Sequence, residues 1–488
     1  MIALPKGTLR EFERYSRLAY GETMAYGSFN PLSFLLRTCA VDPQTIGQYF
    51  RQNPDNKAHI SIPPKKVLIG LANLVHEYTH FLQMTTRFMA LGLLGSIRQQ
   101  AGWTYRLVSS LRRMRPRRYW PPQLPLLEYA FQLPRSVAGE WISHWVGFES
   151  IHRLIWGDSV LTREDKYGRF IDHHFREFYG MHKTDMLRLP EPLYPQIPTV
   201  FGSRSASPST GASQEGPSRD LLPFDILENE ANINAFLYLA TYYGMRVASD
   251  VFRDMFGASS TVGRFCIALP WLHNGIAHLF PLAADLAFQG WSMKGRFENM
   301  HPSWRFLAAW EVCLAYRGCD SDGTFLRGYS DVVSDIRRKC RSPQPERFLQ
   351  DTLAGRRHPG TIVSGDWVLS SLLSRNLRHR IKRPYWFYSP VVYFDYLMRN
   401  ITVPFAIFAN TPKSVFELGP AVARDQDTEL YGNLFDEVFV MWSAREIATS
   451  SSVRCPLCEI IGERTCTGDC SFGQWFRHKW GFSHTRTE

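Results

Sequence analysis

Three residues near the start of the chain have the types and spacing to bind a metal ion and to move a proton: His76, Glu77 and His80, in the pattern H-E-x-x-H. Residues four apart lie on one face of a helix, so both imidazoles can reach one ion while Glu77 projects beside them. Two neutral imidazoles suit Zn²⁺, which at catalytic sites has three protein ligands and a water. A carboxylate beside that water can take its proton and return it to a leaving amine. The spacing predicts a zinc site with Glu77 as general base.

The alternative is that these residues fell in this order by accident. In a chain of 488 residues with 15 histidines, the pattern should arise by chance about 0.02 times. The surrounding stretch, residues 67–90, is apolar around most of its circumference, which is typical of a helix inside a core. Unpaired imidazoles and a carboxylate would be costly there, and a metal ion would satisfy all three groups. The metal site is therefore the favoured interpretation.

A second segment, LENEANINAFLYLATYYGM at residues 227–245, predicts another helix and offers two candidates for the third ligand. Glu228 and Glu230 lie two residues apart, so they point in different directions on a helix. Glu228 shares its face with small alanines, which allow a close approach to the first helix. It also shares that face with Asn232, which could hydrogen-bond the outer nitrogen of a ligand histidine. We therefore assign Glu228 as ligand and Glu230 as a nearby acid at the rim of the cleft.

Together the two segments resemble the gluzincins, zinc metallopeptidases of the zincin group. In these proteins the HExxH helix is followed by a helix with a glutamate ligand in a pattern like E-x-x-A-[DN], which Glu228, Ala231 and Asn232 match here. The longer form E-x-E-A-N-x-x-A looks most like the soluble bacterial and phage-related peptidases that cut repressors. It also looks like the catalytic helices of membrane-associated zincins. His301 and Arg305, in HPSWR, are similar to a feature that closes the site in some of these families.

The resemblance implies a multi-helix, zincin-like core and a zinc-dependent endopeptidase. Glu77 would be the general base, and His301 or Arg305 would donate a hydrogen bond to the oxyanion that develops in the transition state. The substrate would be a cytoplasmic protein, in a bacterial stress, toxin or phage-defence setting. Helical patterns also dominate the rest of the chain and alternating strand patterns are scarce. We expect a mainly α fold with little β.

The end of the chain holds a second candidate metal site, in RCPLCEIIGERTCTGDC. Two closely spaced cysteine pairs can wrap a tetrahedral ion, because each pair supplies two thiolates from one tight turn. The four residues are Cys455, Cys458, Cys466 and Cys470. We predict a structural zinc there; the alternatives are four free thiols in a mobile tail, or a site in which a nearby histidine replaces one thiol.

The order of these features divides the chain into five segments. Residues 1–66 form an N-terminal leader, 67–201 the HExxH helix and a helical region, and 202–221 a flexible loop rich in Ser, Gly and Pro. Residues 222–450 form the helical region of the third ligand, and 451–488 the cysteine-rich tail. The first residues reach charge before a signal peptide could form, and no stretch is apolar enough to span a membrane, so we expect a cytoplasmic protein.

Other functions remain as alternatives. The net charge of +11 comes largely from arginine, including two basic runs with neighbouring aromatics, LRRMRPRRYW and RNLRHRIKRPYW. They suggest a metal-stabilised adaptor for nucleic acid or an acidic protein with an inactive HExxH site, although a solvated surface explains each run alone. A zinc hydrolase of small amides is a third hypothesis. The chain has no G-x-S-x-G, no phosphate-binding glycine loop and no dinucleotide fingerprint, which excludes serine hydrolase, kinase-like and Rossmann functions.

Overall fold

The computed structural model describes residues 27–30, 35–38, 62–114, 120–130, 132–134, 136–142, 144–145, 223–256, 274–289, 302–315, 324–340, 345–356, 368–401, 403–408, 415–418, 425–453, 455 and 471–483. This part of the chain is mainly helical, as the sequence predicts, with a little β-structure. None of its helices is both long and apolar enough to cross a membrane. The loop at 202–221 and most of the cysteine-rich tail lie outside the described residues.

The described helices vary widely in length, and the longest of them form the centre of the fold. In chain order they are α1 (Lys65–Thr86), α2 (Phe88–Arg113), α3 (Leu126–Ala130), α4 (Pro223–Tyr243), α5 (Met245–Phe256), α6 (Asn274–Phe288), α7 (Pro302–Ala315), α8 (Thr324–Cys340), α9 (Pro345–Leu353), α10 (Val368–Lys382), α11 (Tyr385–Tyr388), α12 (Phe394–Asn400), α13 (Asp425–Thr449) and α14 (Ser471–Trp480).

A small mixed sheet lies against α1 and joins distant parts of the sequence. Its strands are β1 (Gly27–Asn30), β2 (Leu35–Thr38), β3 (Val403–Phe408) and β4 (Val415–Leu418), in that spatial order. The outer pairs are antiparallel and the central pair is parallel, with Leu35 opposite Phe405. Both β1 and β2 contact α1. The segment predicted as a leader therefore shares a sheet with residues that follow α12.

Helix α1 is the centre of the core and carries the H-E-x-x-H pattern. It packs most extensively against α4, and it also contacts α2, α5 and α10. Most of its residues are buried, including polar ones. The hydroxyl groups of Thr79, Thr85 and Thr86 donate to the carbonyls four residues earlier, at 2.6 to 2.8 Å. These bonds let the helix bury polar side chains without leaving their hydroxyls unsatisfied.

A break at Arg87 separates α1 from α2, although the sequence predicted one helix over residues 67–90. Arg87 has an extended backbone, with φ −109° and ψ 139°. A break exposes backbone groups that need partners. Gln289, just after α6, supplies them: its amide accepts from the N–H of Phe88 and donates to the carbonyl of Thr86, both at 3.3 Å.

The side chain of Arg87 enters a buried cluster of four charges. Its guanidinium pairs with Glu230 of α4 and with Asp285 of α6, the latter at 3.2 Å, and Arg380 of α10 pairs with the second oxygen of Asp285. All four side chains are at most 4% exposed. Two positive and two negative groups cancel, which is the condition for burying charge at tolerable cost. The cluster ties α4, α6 and α10 to the α1–α2 break.

Replacing Asp285 tests this cluster, because its carboxylate faces both Arg87 and Arg380. We expect Asp285→Ala to lower the free energy of unfolding by about 3–5 kcal/mol, since it leaves two buried guanidinium groups with one carboxylate between them. The matched control is Asp335→Ala, which breaks an exposed pair with Arg338 and should cost about 0–1 kcal/mol. Urea denaturation measures both. Equal losses for the two variants would contradict the buried cluster.

Candidate metal centre

The packing of α1 against α4 brings His76, His80 and Glu228 together, although 148 residues separate His80 from Glu228. The two histidines lie one turn apart on α1, and Glu228 lies in the first half of α4. One ligand atom from each residue lies within 4.8 Å of the other two. Residues of this group are neither fully buried nor fully exposed. The structure therefore groups three potential ligands at a place that solvent can reach.

The spacing of the two imidazoles and the carboxylate is close to that of ligands around one tetrahedral ion. The Nε2 atoms of His76 and His80 are 3.1 Å apart, Oε2 of Glu228 lies 3.6 Å from Nε2 of His76, and Oε1 of Glu228 lies 3.3 Å from Nε2 of His80. With bonds of about 2.0–2.1 Å, two ligands of tetrahedral zinc are separated by about 3.3 Å. Each of the three distances is within about 0.3 Å of that value. His, His and Glu are also a donor set that zinc accepts at catalytic sites.

The close approach of these three side chains shifts the pKa values of His80 and Glu228. Burial lowers the pKa of His80, but the carboxylate of Glu228 overcomes this effect and raises that pKa to about 9, with further contributions from Glu77 and Gln83. Burial raises the pKa of Glu228, yet His80 and His76 hold it well below its usual value. A proton therefore occupies the centre of the cluster readily. A metal ion must displace this proton, because a histidine ligand binds in its neutral form.

Glu77, the predicted general base, lies on α1 between the two histidines and is 4% exposed. Its carboxylate is close enough to His80 to contribute to the raised pKa of that residue. A negative charge beside the ligand group, but outside the set of three ligands, is the position that proton transfer requires. The role of general base stays a prediction.

The outer nitrogen of His80 has a partner that the sequence did not suggest. Its Nδ1 lies 2.8 Å from Oε1 of Gln83, one turn further along α1. Asn232, which we expected to bond a ligand histidine, is not this partner. Gln83 could have been found from the sequence, because it lies three residues after His80 on the same face of an apolar helix.

Glu230 is not at the rim of a cleft, where the sequence placed it. It is 1% exposed and belongs to the buried charge cluster, in which it pairs with Arg87 and accepts a 3.0 Å hydrogen bond from Gln83. Burial raises the pKa of Glu230 despite the neighbouring guanidinium of Arg87. Its role is therefore to hold side chains in place beneath the site.

The other predicted site residues lie elsewhere or outside the described part of the chain. Arg305 is buried near the start of α7, and its guanidinium donates to the carbonyls of Leu286, at 3.0 Å, and Gln289, at the end of α6. Its proposed oxyanion role stays a prediction, and these bonds give it a structural one. Cys455 is buried, and its role as a zinc ligand stays a prediction. His301 and three of the predicted tail ligands, Cys458, Cys466 and Cys470, lie outside the described residues.

The second basic run forms an exposed surface at the end of α10, which we call the α10 basic surface: Arg375, Arg378, Lys382 and Arg383. In the described part of the chain, no ion pair joins these four side chains to an acidic residue. Burial, together with the charges of Arg375, Lys382 and Arg383, lowers the pKa of the neighbouring His379. Among the described residues, the positive charge of this surface is therefore not compensated by an ion pair.

Comparisons with protein-family models, with curated proteins and with solved structures found no match to this chain.

Glu228 and Glu230 should respond in opposite ways when each is replaced by alanine. Glu228→Ala should remove one equivalent of bound zinc, from two to one if the tail cysteines hold the second ion, and should change the stability of the metal-free protein little. Glu230→Ala should lower the unfolding free energy by about 3–5 kcal/mol, because it leaves Arg87 buried beside one carboxylate. Zinc content by plasma mass spectrometry and urea denaturation report the two effects. Loss of zinc only in Glu230→Ala would refute the assignment.

Proposed function

We propose that this chain is a zinc-dependent endopeptidase, with His76, His80 and Glu228 as zinc ligands and Glu77 as general base. One observation carries the proposal: the Nε2 atoms of His76 and His80 are 3.1 Å apart, and each lies 3.3 to 3.6 Å from an oxygen of the Glu228 carboxylate, which is close to the edge length of a zinc tetrahedron. The adjacent, buried carboxylate of Glu77 supplies the second element that hydrolysis requires.

Each residue of the group has a defined task in the proposed reaction. His76, His80 and Glu228 would hold the zinc ion, which would supply Lewis acidity and lower the pKa of a water molecule. Glu77 takes the proton of the attacking water and returns it to the nitrogen of the leaving amine, so one carboxylate is first base and then acid.

Access to the site supports a substrate that arrives from solution. The side chains of His76 and His80 are 17% and 15% exposed, and that of Glu228 is 34% exposed. A structural zinc site is closed by four protein ligands, whereas a catalytic site keeps one position open. Three ligands with a partly exposed face fit a catalytic site.

The gluzincin resemblance of the two ligand helices is the basis for the proposed substrate and setting. We propose peptide substrates, a cytoplasmic target and a bacterial stress, toxin or phage-defence setting.

Glu77→Gln separates the base from the ligands. We expect this variant to keep its zinc and to lose turnover by at least about 10²–10⁴-fold, the contribution of a positioned base. His76→Ala should lose both zinc and activity, because it removes a ligand. Glu446→Gln, another buried glutamate, is the matched control and should retain both. Casein cleavage and zinc content are measured on the same samples. Full activity of Glu77→Gln would contradict the proposal.

The α10 basic surface favours a second candidate function, an adaptor that binds single-stranded nucleic acid. Tyr385 and Tyr396, beside the end of α10, are 40% and 55% exposed. Between them Trp386 stacks on Tyr396 at 5.6 Å, and the guanidinium of Arg383 lies 4.8 Å from the Trp386 ring. Basic groups that contact phosphates, next to exposed aromatic rings that stack on bases, are the elements of a single-strand binding surface. Zinc binding without cleavage of any substrate would favour this candidate.

The adaptor function predicts a strong salt dependence of binding to a single-stranded oligonucleotide. Replacing Arg375, Arg378 and Lys382 with glutamine should weaken binding and reduce the slope of log K against log salt by about 2, because three phosphate contacts are lost. Fluorescence anisotropy at several salt concentrations measures both quantities.

The matched control for this experiment removes three charges at the end of α8, from Arg337, Arg338 and Lys339. Arg338 and Lys339 pair with Asp335, at 2.7 Å, and Glu311, at 2.5 Å, so their charge is compensated locally. This variant lowers the net charge equally and should bind almost as wild type. Equal weakening by both triple variants would show a general charge effect and would count against the α10 basic surface.

A further inference from the structure

We propose that Gln83 is the positioning residue of the metal centre: it fixes which nitrogen of His80 carries the proton, and the buried charge cluster holds Gln83 in the orientation that does so. This inference rests on the proposed zinc site and adds to it the residues that orient one of its ligands.

The orientation of the Gln83 amide is determined by its two neighbours on α4. Its Nε2 lies 3.0 Å from the carbonyl oxygen of Leu227 and 3.0 Å from a carboxylate oxygen of Glu230. A backbone carbonyl can only accept, so the end of the amide that faces Leu227 must be the NH₂ group. This holds whether or not Glu230 is ionised. The oxygen end of Gln83 therefore faces the opposite way, towards His80.

The proton of His80 follows from this orientation. Oε1 of Gln83 is an acceptor and lies 2.8 Å from Nδ1 of His80, so Nδ1 must carry the hydrogen. In the neutral imidazole the other nitrogen, Nε2, then presents its lone pair. Nε2 is the atom that faces His76 and Glu228. Gln83 therefore selects the tautomer that can bind a metal through the atom at the centre of the cluster.

Gln83 is itself held by the charge cluster. It is 2% exposed, and its partner Glu230 is paired with Arg87, which also pairs with Asp285. Asp285 in turn pairs with Arg380. A buried glutamine with both ends of its amide bonded has lost the freedom to rotate, and the low dielectric of the core strengthens each bond. The orientation of a metal ligand thus depends on contacts that extend through α4, α6 and α10.

A glutamine in this position has a chemical consequence. Ligand histidines commonly donate their outer N–H to a carboxylate, a backbone carbonyl or a water, and a carboxylate makes the imidazole a stronger base. An amide oxygen orients the ring without adding a negative charge. A zinc ion bound through His80 would therefore receive less electron density from this ligand, which leaves it a stronger Lewis acid.

The test compares zinc affinity, measured by competition with a chromophoric chelator, in wild type, Gln83→Met and Gln83→Glu. Gln83→Met removes the acceptor and should weaken zinc binding about 10–100-fold. Gln83→Glu keeps an acceptor oxygen for His80 but buries a second carboxylate beside Glu230, so it should bind zinc more tightly than Gln83→Met while being less stable in urea. A purely structural role predicts the same order for both properties. The absorption spectrum of the Co²⁺-substituted protein gives a second readout of ligand geometry.

Gln100→Met on α2 is the matched control, because Gln100 is 1% exposed and its Nε2 has no hydrogen-bond partner among the residues that the structure describes. It should bind zinc as wild type does. The outcomes are distinguishable: a wild-type protein that binds no zinc would refute the proposed metal centre. Wild-type zinc affinity in Gln83→Met, or weaker binding in Gln83→Glu than in Gln83→Met, would refute the positioning role alone. If Gln83→Met does not fold, the positioning role is tested instead by comparing Gln83→Glu with Gln100→Met, in zinc affinity and in the absorption spectrum of the Co²⁺-substituted protein.

Discussion

The contact between α1 and α4 is the constraint on which the candidate site depends. Neither helix has three ligands by itself: α1 contributes His76 and His80, and α4 contributes Glu228. A tetrahedral site tolerates errors of only a few tenths of an ångström in the position of each ligand. Two helices can meet that tolerance only if they are locked in register. Here hydrogen bonds hold the two helices in register, because Gln83 of α1 donates to both the backbone and a side chain of α4.

The two glutamates of α4 show how a short change of position along one helix assigns opposite roles. Glu228 and Glu230 differ by two residues, or about 200° around the helix axis. Glu228 therefore faces the histidines and is partly exposed, whereas Glu230 turns inward to Arg87. The histidines hold the pKa of Glu228 well below its usual value, and burial raises that of Glu230. A glutamate is therefore a potential metal ligand at position 228, whereas at position 230 it pairs with a buried arginine and has a structural role.

The sequence was sufficient where the relevant interactions are local. The spacing of His76 and His80, and the small residues around Glu228, follow from the geometry of a single helix. The break at Arg87 was not predicted, because the partners of the Arg87 side chain, Glu230 and Asp285, lie 143 and 198 residues away in the sequence. Nothing in the sequence near Arg87 signals an interruption of the helix. Long-range ion pairs leave no periodic pattern, so the buried cluster could be recognised only from the fold.

The buried cluster and the candidate metal centre are one polar system with two functions. A series of contacts between protein groups runs from Arg380 through Asp285, Arg87, Glu230 and Gln83 to His80. The strength of these contacts does not depend on a bound ion. A ligand that binds only the folded state adds to stability, by about 2.7 kcal/mol at a hundredfold excess over Kd. Zinc would thus stabilise the same helix contact that the cluster holds. A change in the cluster should reach the metal through Gln83, because this amide hydrogen-bonds His80 at one end and the buried Glu230 at the other.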